Sequence, residues 1–380
     1  MFSYSKWLAF ALLFCLLAGP AQADKQLDQI SDNAFKALQY MQKKKGLFHY
    51  EYDLVAQKYS KKNNMVRQAG TAYALGEYLL RTKSKPARQV LAKALNALQS
   101  KSIGFKNGKL VTSKRLLSKA KTGTTALSLL AELHYYSATG DEQFAEIRKS
   151  WKDGLLAQYR PGAGFAKLPK SDIESDYYNG ETWLALAWYH ALFPDDKKVG
   201  ALLPRVDHYM MKRYSREPLS GFYHWGMLAS AKRMQTKVDD KLIAFARSQT
   251  DVYLKKLRPE PRPSVNTCSA IEGLSAAVLI LDHSDSHGQL KKRALRRIFI
   301  EEKQNFPFQI KANQRRLDLG NGVALHSPEL SRFQGAFVNG RRKPRMRVDF
   351  TQHCLSAALR LSALRDKMAE KPVTTQSSTP

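Results

Sequence analysis

Six segments of the chain share one pattern, and this pattern limits the possible fold more than any other feature. Each segment begins with polar residues and continues as a run of small or apolar residues. The six begin near Asn64, Lys121, Tyr178, His224, Asn266 and Asp349. A helix that is small and apolar nearly all round is a buried helix. Six buried helices predict a ring of paired helices in which the buried member of each pair faces inward.

The segments between these six have the apolar periodicity of amphipathic helices. The first of them, from 24 to about 45, places Leu27, Ile30 and Leu38 at helical spacing. Short Gly-Phe or similar aromatic loops, such as Gly104-Phe105, precede several inner segments. An open superhelix has the same alternation, but a small buried helix in every pair favours closure. We therefore predict an all-α toroid of six outer–inner helix hairpins, with short β-hairpin loops over one mouth.

The two ends of the chain differ from the predicted ring. A charged start, an apolar run from Trp7 to Gly19 and an Ala-x-Ala site before Asp24 are typical of a secretory signal peptide. We predict a signal peptide over 1–23, the toroid domain over 24–367 and a disordered polar tail over 368–380. The protein is then periplasmic or secreted, with no transmembrane segment after cleavage. An uncleaved anchor is the alternative.

The chain is strongly basic. Its formal charge is +29, which becomes +28 when Lys6 leaves with the signal peptide. Such an excess favours an acidic partner, and we predict an acidic glycan or oligosaccharide, with an anionic envelope surface as a further possibility. Export argues against nucleic acid. The densest cluster is at Arg341, Arg342, Lys343, Arg345 and Arg347.

Two cysteines, Cys268 and Cys354, remain after cleavage, and both lie near the heads of inner helices. A disulfide is compatible with an oxidising compartment, but we favour two free buried thiols. No short Cys-x-x-Cys spacing supports a zinc site. We predict no metal and no cofactor.

In a ring of hairpins the inner helices are parallel, so their N-termini meet at one end, which we call the mouth. Each N-terminus presents unpaired N–H groups and the positive end of a helix dipole. The predicted catalytic residues lie at these heads. They are Glu181, Glu272, Asp349, His353 and His224. Paired carboxyl groups suit glycoside hydrolysis, and histidines suit proton transfer. The alternative is that these residues are helix caps or structural ion pairs.

A second group of residues near the same heads is predicted to bind substrate. Arg67, placed before a buried helix, is suited to hold a carboxylate. Aromatic faces that sugars stack on come from Tyr52, Tyr178 and Trp225, although ordinary packing also explains them. The predicted binding residues are completed by two amides, Asn64 and Gln352.

Several motifs together resemble those of the six-hairpin (α/α)6 toroids. These are Asn64-Met-Val-Arg-Gln-Ala-Gly70, Tyr178-Asn-Gly-Glu181, His224-Trp225, Ile271-Glu-Gly273 and Arg347-Val-Asp-Phe-Thr-Gln-His353. They are similar to a poorly characterised bacterial group of this fold. The resemblance implies a glycoside hydrolase, a polysaccharide lyase or a sugar epimerase-like protein, since one toroid supports several chemistries.

We therefore predict an exported carbohydrate-active enzyme that acts on an acidic glycan, with hydrolysis first. Lyase or uronate epimerase chemistry is the runner-up, with His353 or Tyr52 abstracting a proton next to a carboxylate held by Arg67. A non-catalytic glycan-binding or envelope-assembly protein is the alternative from another class.

Overall fold

The computed structural model describes residues 20–284, 288–320, 322–341 and 344–370. Within these ranges, twelve main helices alternate between an outer and an inner position. The outer helices are α1 (Pro20–Met41), α3 (Lys85–Gln99), α5 (Ala145–Leu156), α7 (Lys197–Arg216), α9 (Asp240–Val252) and α11 (Gly288–Asn305). The inner helices are α2 (Met65–Thr82), α4 (Thr122–Thr139), α6 (Asp176–Leu192), α8 (Ser220–Thr236), α10 (Cys268–Leu281) and α12 (Val348–Ala369).

The inner helices form a closed ring. Each packs against the next in chain order, and α12 packs back against α2. The outer helices lie outside them, so that α3 contacts both α2 and α4, and α1 closes the outer layer against α12. This arrangement confirms the predicted toroid of six hairpins and rejects the open superhelix.

The sequence explains which helix takes which position. Inner helix α4 is buried from Thr122 through Tyr135, on all its faces. Outer helix α3 instead buries a single apolar stripe that includes Val90, Leu91 and Leu98, as an amphipathic helix should. Side-chain caps fix several starts: Asn64 accepts the N–H of Val66 at the head of α2.

In the described residues, nine short strands lie in connections that lead into inner helices. Three hairpins are β3–β4 (Ser102–Phe105, Gly108–Val111), β5–β6 (Tyr159–Arg160, Gly164–Phe165) and β7–β8 (Arg316–Gly320, Val323–His326). A three-stranded sheet joins β2 (Lys58–Tyr59), β1 (Glu51–Asp53) and β9 (Arg345–Arg347). In it, the connection before α2 pairs antiparallel with the one before α12, Tyr52 opposite Met346. These strands connect the first and last inner helices at the mouth.

Glycines near the helix heads let the inner helices approach closely. A Cβ at Gly123 of α4 would overlap Oε2 of Glu181 on α6, and one at Gly180 would overlap Trp225 on α8. Gly70 stands in the same way against Gln352, and Gly273 against His224. Only glycine leaves this space, so side chains at the mouth lie against the bare backbone of the adjacent helix.

Some expected boundaries differ in the structure. Gly221-Phe222, expected immediately before the fourth inner helix, lies inside the first turn of α8. The outer helix expected to reach Leu257 does so through a π-helical turn, Tyr253–Leu257, which follows α9. Most of the predicted signal peptide (1–19), most of the predicted tail (371–380) and Arg342 and Lys343 of the basic cluster lie outside the described residues. None of the helices described is both long and apolar enough to cross a membrane.

Cys268 and Cys354 form a disulfide, so the preference for two free thiols was wrong. The two residues lie in the first two turns of neighbouring inner helices, α10 and α12. The closed ring brings their Cα atoms to 5.0 Å although 86 positions separate them in the chain. Chain distance did not reveal this proximity, which depends on ring closure.

Removal of this disulfide is expected to destabilise the toroid. Because the bond closes a long loop, replacing both cysteines by alanine should lower the free energy of unfolding by about 2 to 4 kcal/mol, as measured by urea denaturation. Thiol titration of the denatured protein should show a gain of two thiols on reduction. An unchanged thiol count would contradict the bond.

Candidate functional site

A cavity of about 390 Å³ opens where the N-termini of the inner helices meet, and we call it the mouth cavity. Each of the six inner helices contributes at least one residue to its wall. The lining residues are Asn64, Val66, Arg67, Leu127, Tyr177, Tyr178, Glu181, His224, Trp225, Ser269, Asp349, Gln352 and His353. Their positions span most of the chain, so the cavity depends on the closed ring.

Most of the residues singled out in the sequence lie here. The structure brings together Asn64, Arg67, Tyr178, Glu181, His224, Trp225, Asp349, Gln352 and His353. Glu272 lies directly behind the wall, bonded to His353. Tyr52 is elsewhere.

Asp349, in the first turn of α12, is held by two arginines. Arg67 Nε lies 2.9 Å from its Oδ2, and a second guanidinium nitrogen, of Arg347, lies 2.8 Å from the same oxygen. Arg67 also donates a hydrogen bond to the hydroxyl of Tyr50. The Asp349 side chain is 9% exposed. Two cations and a helix N-terminus all favour a carboxylate, so Asp349 is the ionised carboxyl group of the mouth cavity.

Glu181, in the second turn of α6, has the opposite environment. It is buried, no cation pairs with it, and its Oε2 has no hydrogen-bond partner among the described residues. Burial raises the pKa of Glu181 well above its usual value. A carboxyl group in such a site retains its proton at neutral pH. The cavity therefore contains one neutral carboxylic acid and one carboxylate.

Glu272 and His353 form a buried pair beside these two groups. The Nδ1 atom of His353 lies 2.7 Å from Oε1 of Glu272. Burial by itself lowers the pKa of His353, but the charge and hydrogen bond of Glu272 outweigh it and raise the pKa above 6.5. The imidazole side chain is 24% exposed while Glu272 is 1% exposed, so Glu272 orients a ring that reaches the cavity.

His224 is the second histidine of the mouth cavity. It packs against Trp225, and its ring centroid is 5.7 Å from that of His353. Burial and the neighbouring His353 lower the pKa of His224 well below 6.5. His224 is therefore a neutral imidazole, and only His353 of the two is suited to carry a proton at neutral pH.

Tyr52 does not reach the mouth cavity, although we expected it there. Its hydroxyl donates to Glu329, and its ring packs on Phe333. Strand β1 turns this side chain toward the segment Pro328–Phe333. Tyr50 takes the position beside Arg67 instead.

Sequence reasoning missed three groups that support the site. Arg347 was named in the basic cluster and in the motif that ends at His353, but without a partner, and Tyr50 was given no role. Below the mouth, Arg360 of α12 binds both Tyr73, at 2.6 Å, and Glu77 of α2. The helical periodicity of the sequence placed Tyr73, Glu77 and Arg360 on inner helices, but no sequence signal indicated that these three side chains contact one another.

Comparison with known proteins finds similar folds but no similar sequences. No protein-family model and no curated protein sequence matches the chain. Several solved structures do match it. The inactive variant of an α-1,6-mannanase of Salegentibacter sp. HEL1_6 (GH76A), in complex with α-1,6-mannotetrose, superimposes with a TM-score of 0.63 at 10% identity. That match covers 89% of this chain and 99% of the mannanase. The chain has an (α/α)6 toroid fold.

Two further solved structures are similar to the same extent. An unsaturated glucuronyl hydrolase specific for heparin matches with a TM-score of 0.61 and 11% identity, over 92% of this chain and 99% of its own. A sugar epimerase from a ruminal bacterium matches with a TM-score of 0.61 and 11% identity, over 88% and 98%. At these identities the likeness concerns the fold, and function has to be argued from the mouth cavity.

The neutral state of Glu181 predicts a pH-dependent gain of stability on substitution. The contribution of Glu181 to the free energy of unfolding falls as pH rises above about 4.5, because the unfolded carboxyl group ionises while the folded one holds its proton. Glu181→Gln removes this titration. We expect the variant to gain stability over the wild type from about pH 4.5 upward, measured by urea denaturation across pH. A stability difference that does not vary with pH would contradict a neutral Glu181.

The Glu272–His353 pair predicts a change in the pKa of His353 when Glu272 is substituted. Glu272→Gln removes the negative charge but keeps the burial, so the pKa of His353 should fall below 6.5. Titration of the His353 ring by NMR, assigned with His353→Gln, measures this shift. Glu302→Gln on α11, which removes a carboxylate paired with Arg365, is the control. An unmoved His353 pKa would show that Glu272 does not set it.

Proposed function

We propose that the chain is a carbohydrate-active enzyme, a glycoside hydrolase whose chemistry takes place in the mouth cavity. The observation that carries the proposal is the contrast between Glu181 and Asp349. One is neutral through burial and the other is ionised between two arginines, and both line one cavity. Glycoside hydrolysis uses such a pair, one carboxylic acid and one carboxylate.

In this proposal Glu181 is the general acid. It protonates the oxygen of the scissile glycosidic bond as the bond to the anomeric carbon breaks. Asp349 stabilises the positive charge that develops on the sugar ring and orients the water that attacks the anomeric carbon. The proton which that water loses passes to the Glu181 carboxylate and restores the acid. Trp225, Tyr177 and Tyr178 offer aromatic faces on which sugar rings pack. Arg67, whose side chain is 34% exposed, is available to a carboxylate on the substrate.

The proposal does not extend to mannan. The inactive mannanase variant has two consecutive aspartates replaced. In this chain, consecutive aspartates occur at 195–196 and 239–240, where Asp196 and Asp239 cap the outer helices α7 and α9. The carboxyl groups of the mouth cavity come instead from separate inner helices. The chemistry of that mannanase therefore does not transfer residue by residue.

An acidic glycan is the proposed substrate class, and a periplasmic or extracellular location the proposed setting. The formal charge of +29 and the exposed side of Arg67 support an acidic substrate. The charged and apolar pattern before Asp24 supports export.

A uronate lyase or epimerase is the second candidate, because of the His353–Glu272 pair. A histidine with a raised pKa, oriented by a buried carboxylate, is suited to accept the proton next to a uronate carboxylate. Arg67 would hold that carboxylate. In a lyase the carbon–oxygen bond then breaks with formation of an unsaturated sugar, whereas in an epimerase the proton returns on the opposite face.

Turnover on a panel of acidic and neutral oligosaccharides tests these assignments. Release of new reducing ends without unsaturated product is the result expected for a hydrolase. Glu181→Gln should then lower kcat by about 10²- to 10⁴-fold while binding is retained, because the residue acts through proton transfer. Glu302→Gln on α11 is the matched control and should leave kcat unchanged.

Other outcomes overturn the hydrolase assignment in distinct ways. Unsaturated product that is lost in His353→Gln but not in Glu181→Gln identifies a lyase. A change of sugar configuration without cleavage identifies an epimerase. Binding of oligosaccharide without any turnover identifies a non-catalytic glycan-binding or envelope-assembly protein.

A further inference from the structure

A second recess lies on the outside of the toroid, and we call it the α7 groove. It has a volume of about 1010 Å³ and runs along outer helix α7 beside hairpin β5–β6. Its lining residues are Tyr159, Gly162, Pro204, Arg205, His208, Tyr209, Lys212, Arg213, Arg216 and Glu217. Nothing in the proposed reaction at the mouth cavity uses these residues.

The groove carries a row of cations without partners. Arg205, Lys212 and Arg216 are exposed, and none of them forms an ion pair with a carboxylate in the described part of the chain. Their spacing of seven and four residues places them on one helix face over roughly 16 Å. Like charges four residues apart, as at Lys212 and Arg216, destabilise a helix. The carboxylate in the groove lining, Glu217, pairs with Arg213, so an anionic ligand is suited to pair with Lys212 and Arg216.

The hairpin side of the groove adds flat faces. Tyr159, Tyr209 and Pro204 line the recess with ring surfaces. The hydroxyl of Tyr209 is fixed by Glu174 at 2.8 Å, so its ring has a set position. Aromatic faces alternating with cations suit a ligand that has both ring faces and negative charges.

We propose that the α7 groove is a second binding site, for an acidic oligosaccharide. Sugar rings would pack on Tyr159, Tyr209 and Pro204 while carboxylate or sulfate groups pair with Arg205, Lys212 and Arg216. The groove is a recess along a helix, which suits a linear polymer. Its described lining has no protruding apolar side chain of the kind that enters a bilayer. A lipid surface is therefore the weaker match.

The groove ends close to the mouth cavity. Outer helix α7 finishes at Arg216, and four residues later α8 begins at Ser220. The ring of Tyr177, which lines the mouth cavity and is 52% exposed, lies against Gly221 at that start. One polymer chain lying in the groove thus leads toward the cavity rim. The α7 groove would hold the polymer while the cavity acts on its end or on a bond further along.

The test compares two triple variants that carry the same charge change. The groove variant is Arg205→Gln, Lys212→Gln and Arg216→Gln. The control variant is Arg247→Gln, Lys292→Gln and Arg296→Gln, three exposed cations of α9 and α11 that likewise form no ion pair within the described residues. Binding of size-defined heparin oligosaccharides, used as the acidic probe, is measured by calorimetry at several salt concentrations.

We expect the groove variant to bind heparin about tenfold more weakly, with a shallower salt dependence, because three exposed ion pairs are lost. The control variant should bind as the wild type does. Equal losses in the two variants would overturn the proposal, since the effect would then be net charge alone. Tighter binding of single-stranded DNA of equal charge, or a loss confined to anionic phosphatidylglycerol vesicles, would also overturn it.

This test is independent of the reaction at the mouth. Both variants keep every lining residue of the mouth cavity, so turnover of a short substrate should be the same in both. Loss of heparin binding with intact turnover supports the α7 groove whichever reaction the cavity performs. If Glu181→Gln leaves turnover intact, the proposed hydrolysis fails while the groove remains testable by binding.

Discussion

The closeness of the inner helices at their N-terminal ends is the constraint on which the rest of the molecule depends. Glycines at 70, 123, 180 and 273 leave no side chain where Gln352, Glu181, Trp225 and His224 of adjacent helices lie. A Cβ at any of them would push a mouth residue out of place. The same crowding brings Cys268 and Cys354 within bonding distance. Ring closure, the disulfide and the mouth cavity are thus consequences of one packing arrangement.

The electrostatics of the mouth follow from the same arrangement. Six helix N-termini favour negative charge, but burial opposes it, and each carboxyl group resolves the conflict differently. Asp349 gains two arginines and ionises. Glu272 gains His353 and orients it. Glu181 gains no cation and keeps its proton. Three carboxyl groups in one region therefore have three different environments, and this difference allows acid and base roles to be divided among them.

The fold could be predicted from the sequence because the two patterns that indicate it, burial on all faces for inner helices and one apolar stripe for outer helices, are both local. The buried helix α4 and the amphipathic helix α3 each display their position in their own residues, and six repeats fix the ring. The mouth residues were found through their place at helix heads. What escaped were partners across the ring, because contacts such as Arg67 with Tyr50 or Arg360 with Glu77 depend on side-chain direction and not on periodicity. Tyr52 was misplaced for the same reason, since strand β1 directs it toward Glu329. The α7 groove could not be predicted, because its cations have the sequence pattern of an ordinary solvent-exposed helix face. The recess is formed only when hairpin β5–β6 packs beside that helix.

The proposed reaction requires that a neutral Glu181 and an ionised Asp349 face the same cavity. Infrared difference spectroscopy at neutral pH tests this directly. The wild-type spectrum minus that of Glu181→Gln should contain the carbonyl band of a protonated carboxylic acid, and the spectrum minus that of Asp349→Asn only carboxylate bands. A Glu181 difference that shows carboxylate bands alone would contradict the claim.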